Sequence, residues 1–357
     1  PSLLVRELEQ LAEDNRLPPE RRVLVQTFLA QARLRLGDVT AVQAPAFEEL
    51  GYVTRMRVIG PFDNEGKAGF DAQTPVEEKR MQAPDLQASY DGDERPVSWR
   101  EVPDVVRSGF IPLGALLRPF ENVCALAETF VQSERARPLS LWVAAGGAVK
   151  IYWNGVEVFS DPRYRQPGPD RSAVMVGAHA GWNRVLVKVC TMQTAWGFSL
   201  RIGDERGGVA KGRTIATNTN AALDIPEGHA KVRLPKLPHT PLAYFEAEEK
   251  REKPKADLLS DFARYLQMTG SDDPAERKAK QLAARAASLD PSPGNLRLAA
   301  ELAEQRSEIM SFADRAYAAH PNDPSVLLMQ ARVRARGPSP EQALRLLERI
   351  PNDVPES

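Results

Sequence analysis

Residues 148–159, AVKIYWNGVEVF, constrain the fold more than any other stretch, because they read as a single β-hairpin. Val149, Ile151 and Trp153 alternate with Lys150, Tyr152 and Asn154, and the alternation resumes at Val156 and Val158 after Asn154-Gly155. Asn-Gly suits a two-residue type I′ loop, whose two central residues both need positive φ. Closing the loop there sets Trp153 opposite Val156 and Ile151 opposite Val158, which makes one face wholly apolar. The other face pairs Tyr152 with Glu157. Two strands are marginal alone, so the apolar face demands a second layer.

Further strand-like segments supply that layer. Residues 122–132, 138–145, 173–190 and 196–204 are short, rich in Val, Leu and aromatics, and punctuated by Gly, Pro or Asn. This spacing predicts an antiparallel sandwich or jelly roll. The Asn154-Gly155 hairpin, Gly181-Trp182-Asn183 through Lys188, and Trp196-Gly197-Phe198 with Arg201 together resemble the galactose-binding-like jelly rolls. That is the fold of the sugar-binding domains of glycoside hydrolases and of many carbohydrate-binding modules. RVIGPFDNEGKAGFD at 57–71 resembles the opening of such a sandwich in bacterial multidomain proteins, where it sits with helical repeats ahead of a transglutaminase-like peptidase domain. The resemblance implies a fold; a ligand must be argued from a site.

On either side of this region the periodicity is helical. Leu3, Leu4, Leu8 and Leu11 fit a first helix, Pro18-Pro19 stops it, and Val23, Val25, Phe28, Leu29, Ala32 and Leu36 fit a second that Gly37 caps. Residues 45–50 predict a short third helix. Near the C-terminus, Asp290-Pro291, His320-Pro321 and Ile350-Pro351 each close an amphipathic segment, with 30 residues between successive prolines. These segments resemble degenerate tetratricopeptide repeats, whose period is about 34 and whose Trp and Tyr signature positions are missing here. Between the two regions, Gly207-Gly208, a TNTN run and Pro226, Pro235, Pro238 and Pro241 break every period.

The expected fold class is multidomain α + β, an antiparallel β-sandwich (jelly roll) flanked by α-helical repeat segments. The expected domains are a helical segment at 1–50, the galactose-binding-like sandwich at 51–205, a linker at 206–256 and tetratricopeptide-like repeats at 257–357. With 357 residues, each domain is large enough for its own core.

Lys plus Arg number 47 against 48 Asp plus Glu, so no strong field argues for nucleic acid. No apolar run approaches the ~20 residues of a membrane-spanning helix. Cys124 and Cys190 are the only cysteines, and both fall in predicted strands. They read first as two buried small side chains, with a disulfide between strands as the alternative.

The chain carries no G-x-S-x-G elbow, H-E-x-x-H, phosphate-binding glycine loop or C-x-x-C, and its four histidines (179, 229, 239 and 320) are scattered. The expectation is therefore a protein that is not an enzyme and needs no cofactor, with a structural calcium as the one ion to consider. Asp63, Asn64, Glu65 and Asp71 crowd oxygen ligands into a Gly-containing loop, though without the D-x-[DN]-x-[DN]-G spacing. Sugar binding needs exposed rings beside hydrogen-bonding groups. The candidates are Tyr152 with Glu157, the loop residues Arg163, Tyr164 and Arg165, and Trp182, whereas Trp153 and Trp196 share the parity of the core.

The functional expectation is a non-catalytic recognition or scaffolding fragment, with a protein or peptide on the helical repeats. A glycan-binding module and a regulatory N-terminal part of a transglutaminase-like or peptidase-like enzyme are the alternatives. The resemblance to bacterial multidomain proteins favours an extracytoplasmic site over the cytosol.

Overall fold

The computed structural model describes residues 2–38, 44–103, 109–193, 195–217, 225–269, 273–337 and 340–351. The chain divides into two compact units, Pro1–Pro241 and Leu242–Ser357.

The first unit opens with helices α1 (Ser2–Glu13), α2 (Pro19–Arg35) and α3 (Ala44–Glu49). Pro19 stands at the first turn of α2, where its missing N–H costs nothing. Arg33 pairs with Glu9 at 2.7 Å between α2 and α1. Thr27 of α2 lies 3.3 Å from the hydroxyl of buried Tyr52, which joins the helices to the sandwich.

The sandwich begins with β1 (Arg57–Asp63), followed by α4 (Ala68–Asp71), α5 (Pro75–Glu78), β2 (Tyr90–Asp91), β3 (Pro96–Val97), β4 (Arg100–Glu101) and α6 (Leu113–Leu116). Its main strands are β5 (Val123–Ser133), β6 (Arg137–Gly146), β7 (Ala148–Trp153), β8 (Val156–Asp161), β9 (Ser172–Ala178), β10 (Gly181–Thr191), β11 (Gly197–Gly203) and β12 (Arg213–Ala216). The larger sheet has the order β4-β1-β5-β10-β7-β8, and the smaller one β11-β6-β9. All these pairings are antiparallel, and from β5 onward the chain passes repeatedly between the two sheets.

Alternation explains the core. Val185, Val187, Val189, Ile151 and Trp153 of the larger sheet meet Leu139, Leu141, Val143, Phe198, Leu200 and Ile202 of the smaller one. Full burial of each large apolar side chain contributes about 1.5–3 kcal/mol.

The hairpin turn forms at Asn154 (φ 47°) and Gly155 (φ 79°), with Trp153 opposite Val156 and Tyr152 opposite Glu157. One pairing is corrected: Ile151 faces Phe159, because a register shift inserts Val158 as an extra residue in β8. The 173–190 segment is two strands, β9 and β10, joined by a turn at His179-Ala180.

The cysteines are also settled differently from their first reading. Cys124 and Cys190 face one another in the β5–β10 register and form a disulfide, with S–S 2.01 Å. Alternation placed both in strands; only the register, which depends on the fold, made them partners.

β10 covers one side of β5 over its whole length, so β1 and β12 share the other. The Thr129 hydroxyl between them donates to Arg55 O at 2.8 Å and lies 3.4 Å from Ala216 O. The stretch read as a linker, 206–256, thus contributes a strand to the larger sheet. Beyond β12, Ala230 N donates to Gly177 O of β9 at 3.0 Å.

The second unit is helical: α7 (Pro241–Glu249), α8 (Ala256–Thr269), α9 (Asp273–Leu289), α10 (Pro293–Leu302), α11 (Arg306–Ala319), α12 (Pro324–Ala335) and α13 (Glu341–Leu347). From α8 on, each helix packs against the next in chain order, and α10 also meets α8 and α12. Small side chains such as Ala263, Ala283, Ala286, Ala313 and Ala316 fill the centre, which lets the helices approach closely. Phe245 stacks on Phe262 at 5.2 Å, tying α7 to α8.

Candidate functional site

The outer face of the larger sheet is where the sequence places Tyr152 as a ring for a sugar to stack on. The structure closes that face. Ile59, Phe62, Phe70, Val76, Val97 and Trp99 from the β1-to-β4 region form a second core with Cys124, Leu126, Tyr152, Leu186 and Cys190. Tyr152 is 6% exposed, so its ring offers no stacking surface. Its partner Glu157 stays exposed, 4.0 Å from Lys150 Nζ.

Charged side chains hold this cover down. Lys188 Nζ, on β10, donates to Glu77 Oε2 at 2.9 Å and to Ala72 O at 2.7 Å. Tyr152 Oη donates to Glu77 Oε1 at 2.8 Å. Glu77 is placed by the capping box of α5, in which Thr74 is the cap. Four residues along β10 from Lys188, Arg184 pairs with Glu128 and donates to Arg80 O and Gln82 O of the cover. Burial lowers the Lys188 pKa despite the carboxylate beside it, and burial followed by Glu77 raises that of Tyr152. Burial also raises Glu128, against the pull of Arg184.

The loop after β8 carries three of the predicted sugar contacts. Arg163 forks onto Asp161, with Nε to Oδ1 at 2.7 Å and Nη2 to Oδ2 at 3.0 Å. Burial alone would raise the Asp161 carboxyl, but Arg163 outweighs it and holds the group below its ordinary value. Arg163, Arg165 and Arg171 gather with Asp161 around a crevice of about 10 Å³. That is room for a water molecule at most, far below a sugar ring. Tyr164 is half-buried; its hydroxyl accepts from Asn64 Nδ2 at 3.1 Å, and Lys67 lies over its ring at 5.1 Å.

Trp182 is half-buried at the opposite end of the sheet. It pairs with Gln132 near the hairpin turn, whereas Tyr164 and Asn64 sit beside Thr191. The nine residues between 182 and 191 span about 30 Å of strand. The predicted sugar contacts therefore divide between two ends and a closed middle, and no single ligand ring touches them all.

The predicted calcium quartet is also dispersed. Asn64 is fully buried, and its amide nitrogen is spent on Tyr164 and Thr191 O. Asp63 Oδ1 accepts from Glu65 N at 2.9 Å, while the Asp71 carboxylate is 89% exposed and 3.8 Å from Lys150 Nζ. Among the described residues, no three His, Cys, Asp or Glu side chains are grouped to hold a metal.

Open concavities occur in the helical unit. A groove of about 660 Å³ runs between α9, α10 and α11, and a second of about 420 Å³ between α11, α12 and α13. Sequence reasoning placed a partner on these helices without naming residues. The one available hint was Gln330, an amide within the apolar run VLLMQA.

No family model matches the chain, and no curated protein matches it. Among solved structures, a family 35 carbohydrate binding module from an environmental isolate aligns with 26% of this chain and 70% of its own, at 13% identity and TM-score 0.20. A β-glucosidase from Kluyveromyces marxianus aligns with 42% of this chain at 12% identity and TM-score 0.27, and a β-glucuronidase from Ruminococcus gnavus with 39% at 14% and 0.24. The chain spans 15% and 21% of those two enzymes. The two-sheet sandwich stands on the pairing described above.

Proposed function

We propose that this chain is a non-catalytic recognition and scaffolding protein, in which the helical unit holds a protein or peptide and the sandwich is a rigid spacer related in form to carbohydrate-binding modules. One contrast carries the reading: the sheet face best suited to a sugar is closed by the chain's own cover, while the helical unit has open grooves of about 660 and 420 Å³. The 30-residue spacing of its prolines and the packing of successive helices support a degenerate tetratricopeptide-like repeat. The Cys124–Cys190 disulfide supports an extracytoplasmic site, because such bonds persist in oxidising compartments.

A glycan-binding role is the second reading, favoured by the partly exposed rings of Tyr164 and Trp182. A glycan array probed with and without calcium, in parallel with a random-sequence peptide library, separates the two. The expected result is saturable peptide binding and no saturable glycan binding. Glycan binding lost on Tyr164→Ala or Trp182→Ala overturns the scaffold reading.

A further inference from the structure

We propose that the groove between α11, α12 and α13 is a site for an extended acidic peptide, an inference that rests on the reading of the helical unit as the partner-binding part of the chain. Two features of the groove carry it. The first is an unmet acceptor. Gln330 lines the groove and is 2% exposed; its Nε2 donates to Asp314 Oδ1 at 2.7 Å, but its Oε1 is buried without a hydrogen-bond partner. A buried amide oxygen lacking a donor is unfavourable, and a turn of the amide toward an N–H entering the groove would relieve it.

The second is an excess of positive charge. Three arginines and one aspartate line the groove. Arg334 pairs with Asp314 at 3.0 Å. Arg349 spends its donors on Tyr317 Oη, Pro321 O and Asn322 Oδ1, which fastens α13 to α11. Arg345 lines the same groove and makes no ion pair among the described residues, its own-helix neighbours Glu341 and Glu348 included. Thirty residues earlier, at the same place in the repeat, Arg315 of the larger groove is engaged: it donates to Ala287 O at 3.2 Å and lies over Phe312. The second groove alone keeps its repeated arginine available.

An N–H donor for Gln330 and an anion for Arg345, along a wall that includes Leu346, are what a peptide strand with an Asp or Glu side chain provides. Inorganic phosphate brings the anion without the donor. An acidic peptide satisfies both groups, with charge-assisted hydrogen bonds at the guanidinium.

The test uses the full chain and fluorescein-labelled nine-residue peptides of alternating Leu and Glu, with Leu and Gln peptides as the neutral counterpart, read by fluorescence polarisation. The Glu peptide binds, the Gln peptide binds about tenfold or more weakly, and Arg345→Glu weakens the Glu peptide by a similar factor. Gln330→Leu weakens both peptides alike, with an unchanged far-ultraviolet circular dichroism spectrum. Equal binding of the two peptides, or displacement by phosphate or oligouridine at matching concentration, overturns the proposal. Peptide binding that survives Arg345→Glu removes this site but leaves the helical unit a partner-binding surface; a random-sequence library in which no peptide binds removes both.

Discussion

Lys188 of the sandwich and Gln330 of the helical unit are both buried polar side chains, and their surroundings differ in one respect. The Lys188 ammonium has two acceptors, one of them on a residue 111 positions away in sequence, whereas Gln330 Oε1 has no donor. A buried polar group must find partners or be disfavoured. In the sandwich the chain supplies the partner itself, and the surface closes. In the helical unit one partner is left unsupplied, and the surface stays open.

The largest expected effect tests the closed side of this contrast. Glu77→Ala leaves Lys188 charged and unpaired in the interior and should lower the unfolding free energy by about 3–5 kcal/mol, measured by urea denaturation. Joint replacement by Glu77→Leu and Lys188→Met should recover most of that loss. A cost below ~1 kcal/mol for Glu77→Ala would mean that apolar contacts alone hold the cover. Reduction of Cys124–Cys190, which closes a loop of 66 residues beneath the same cover, should cost about 2–4 kcal/mol in a comparison of oxidised and reduced denaturation midpoints.

The open side predicts less. Gln330→Leu removes an oxygen that gains nothing in the folded chain, and Asp314 keeps Arg334. Its stability cost should stay within ~1 kcal/mol, whereas a loss as large as that of Glu77→Ala would make Gln330 a structural residue.

The smallest effect concerns pH. The Asp161 carboxyl is held below its unfolded value, so it adds stability above the ordinary carboxylate range near 4, and that stability is lost as the pH falls through the folded value. Because Arg163 is largely exposed, the contribution should be under ~1 kcal/mol. Arg163→Ala should lower stability at neutral pH by that amount and leave it unchanged below the folded value, which flattens the acid limb of a stability-against-pH curve.

Local chemistry was legible in the sequence where it was sufficient. Asn154-Gly155 forced the turn, and the alternation around it identified Trp153 as core. Parity failed at Tyr152, because alternation tells two faces apart but not whether a later layer covers the second. A clue lay in β10, where Leu186 and Cys190 share a face with Arg184 and Lys188. Apolar residues on the outward face depart from the polar-out alternation of a strand with one wet side and approach the apolar run of a strand buried on both. Ile151 missed its predicted partner because a bulge obeys backbone geometry that composition does not encode. The division of the predicted sugar contacts between two ends of a sheet, and the groove around Gln330, depend on register and helix packing set by residues far apart in the chain.

The shared flank of β5 has a consequence for how the sandwich is carried. The backbone arrives at Arg55 and departs at Ala216 within reach of a single threonine hydroxyl, so the two ends of the stretch that carries the strands meet at one spot. A module whose two ends meet can be spliced into a host loop without prising the loop apart. Here β1 and β12 also sheath the flank of β5, so that strand presents no bare edge on which a neighbouring sheet could grow.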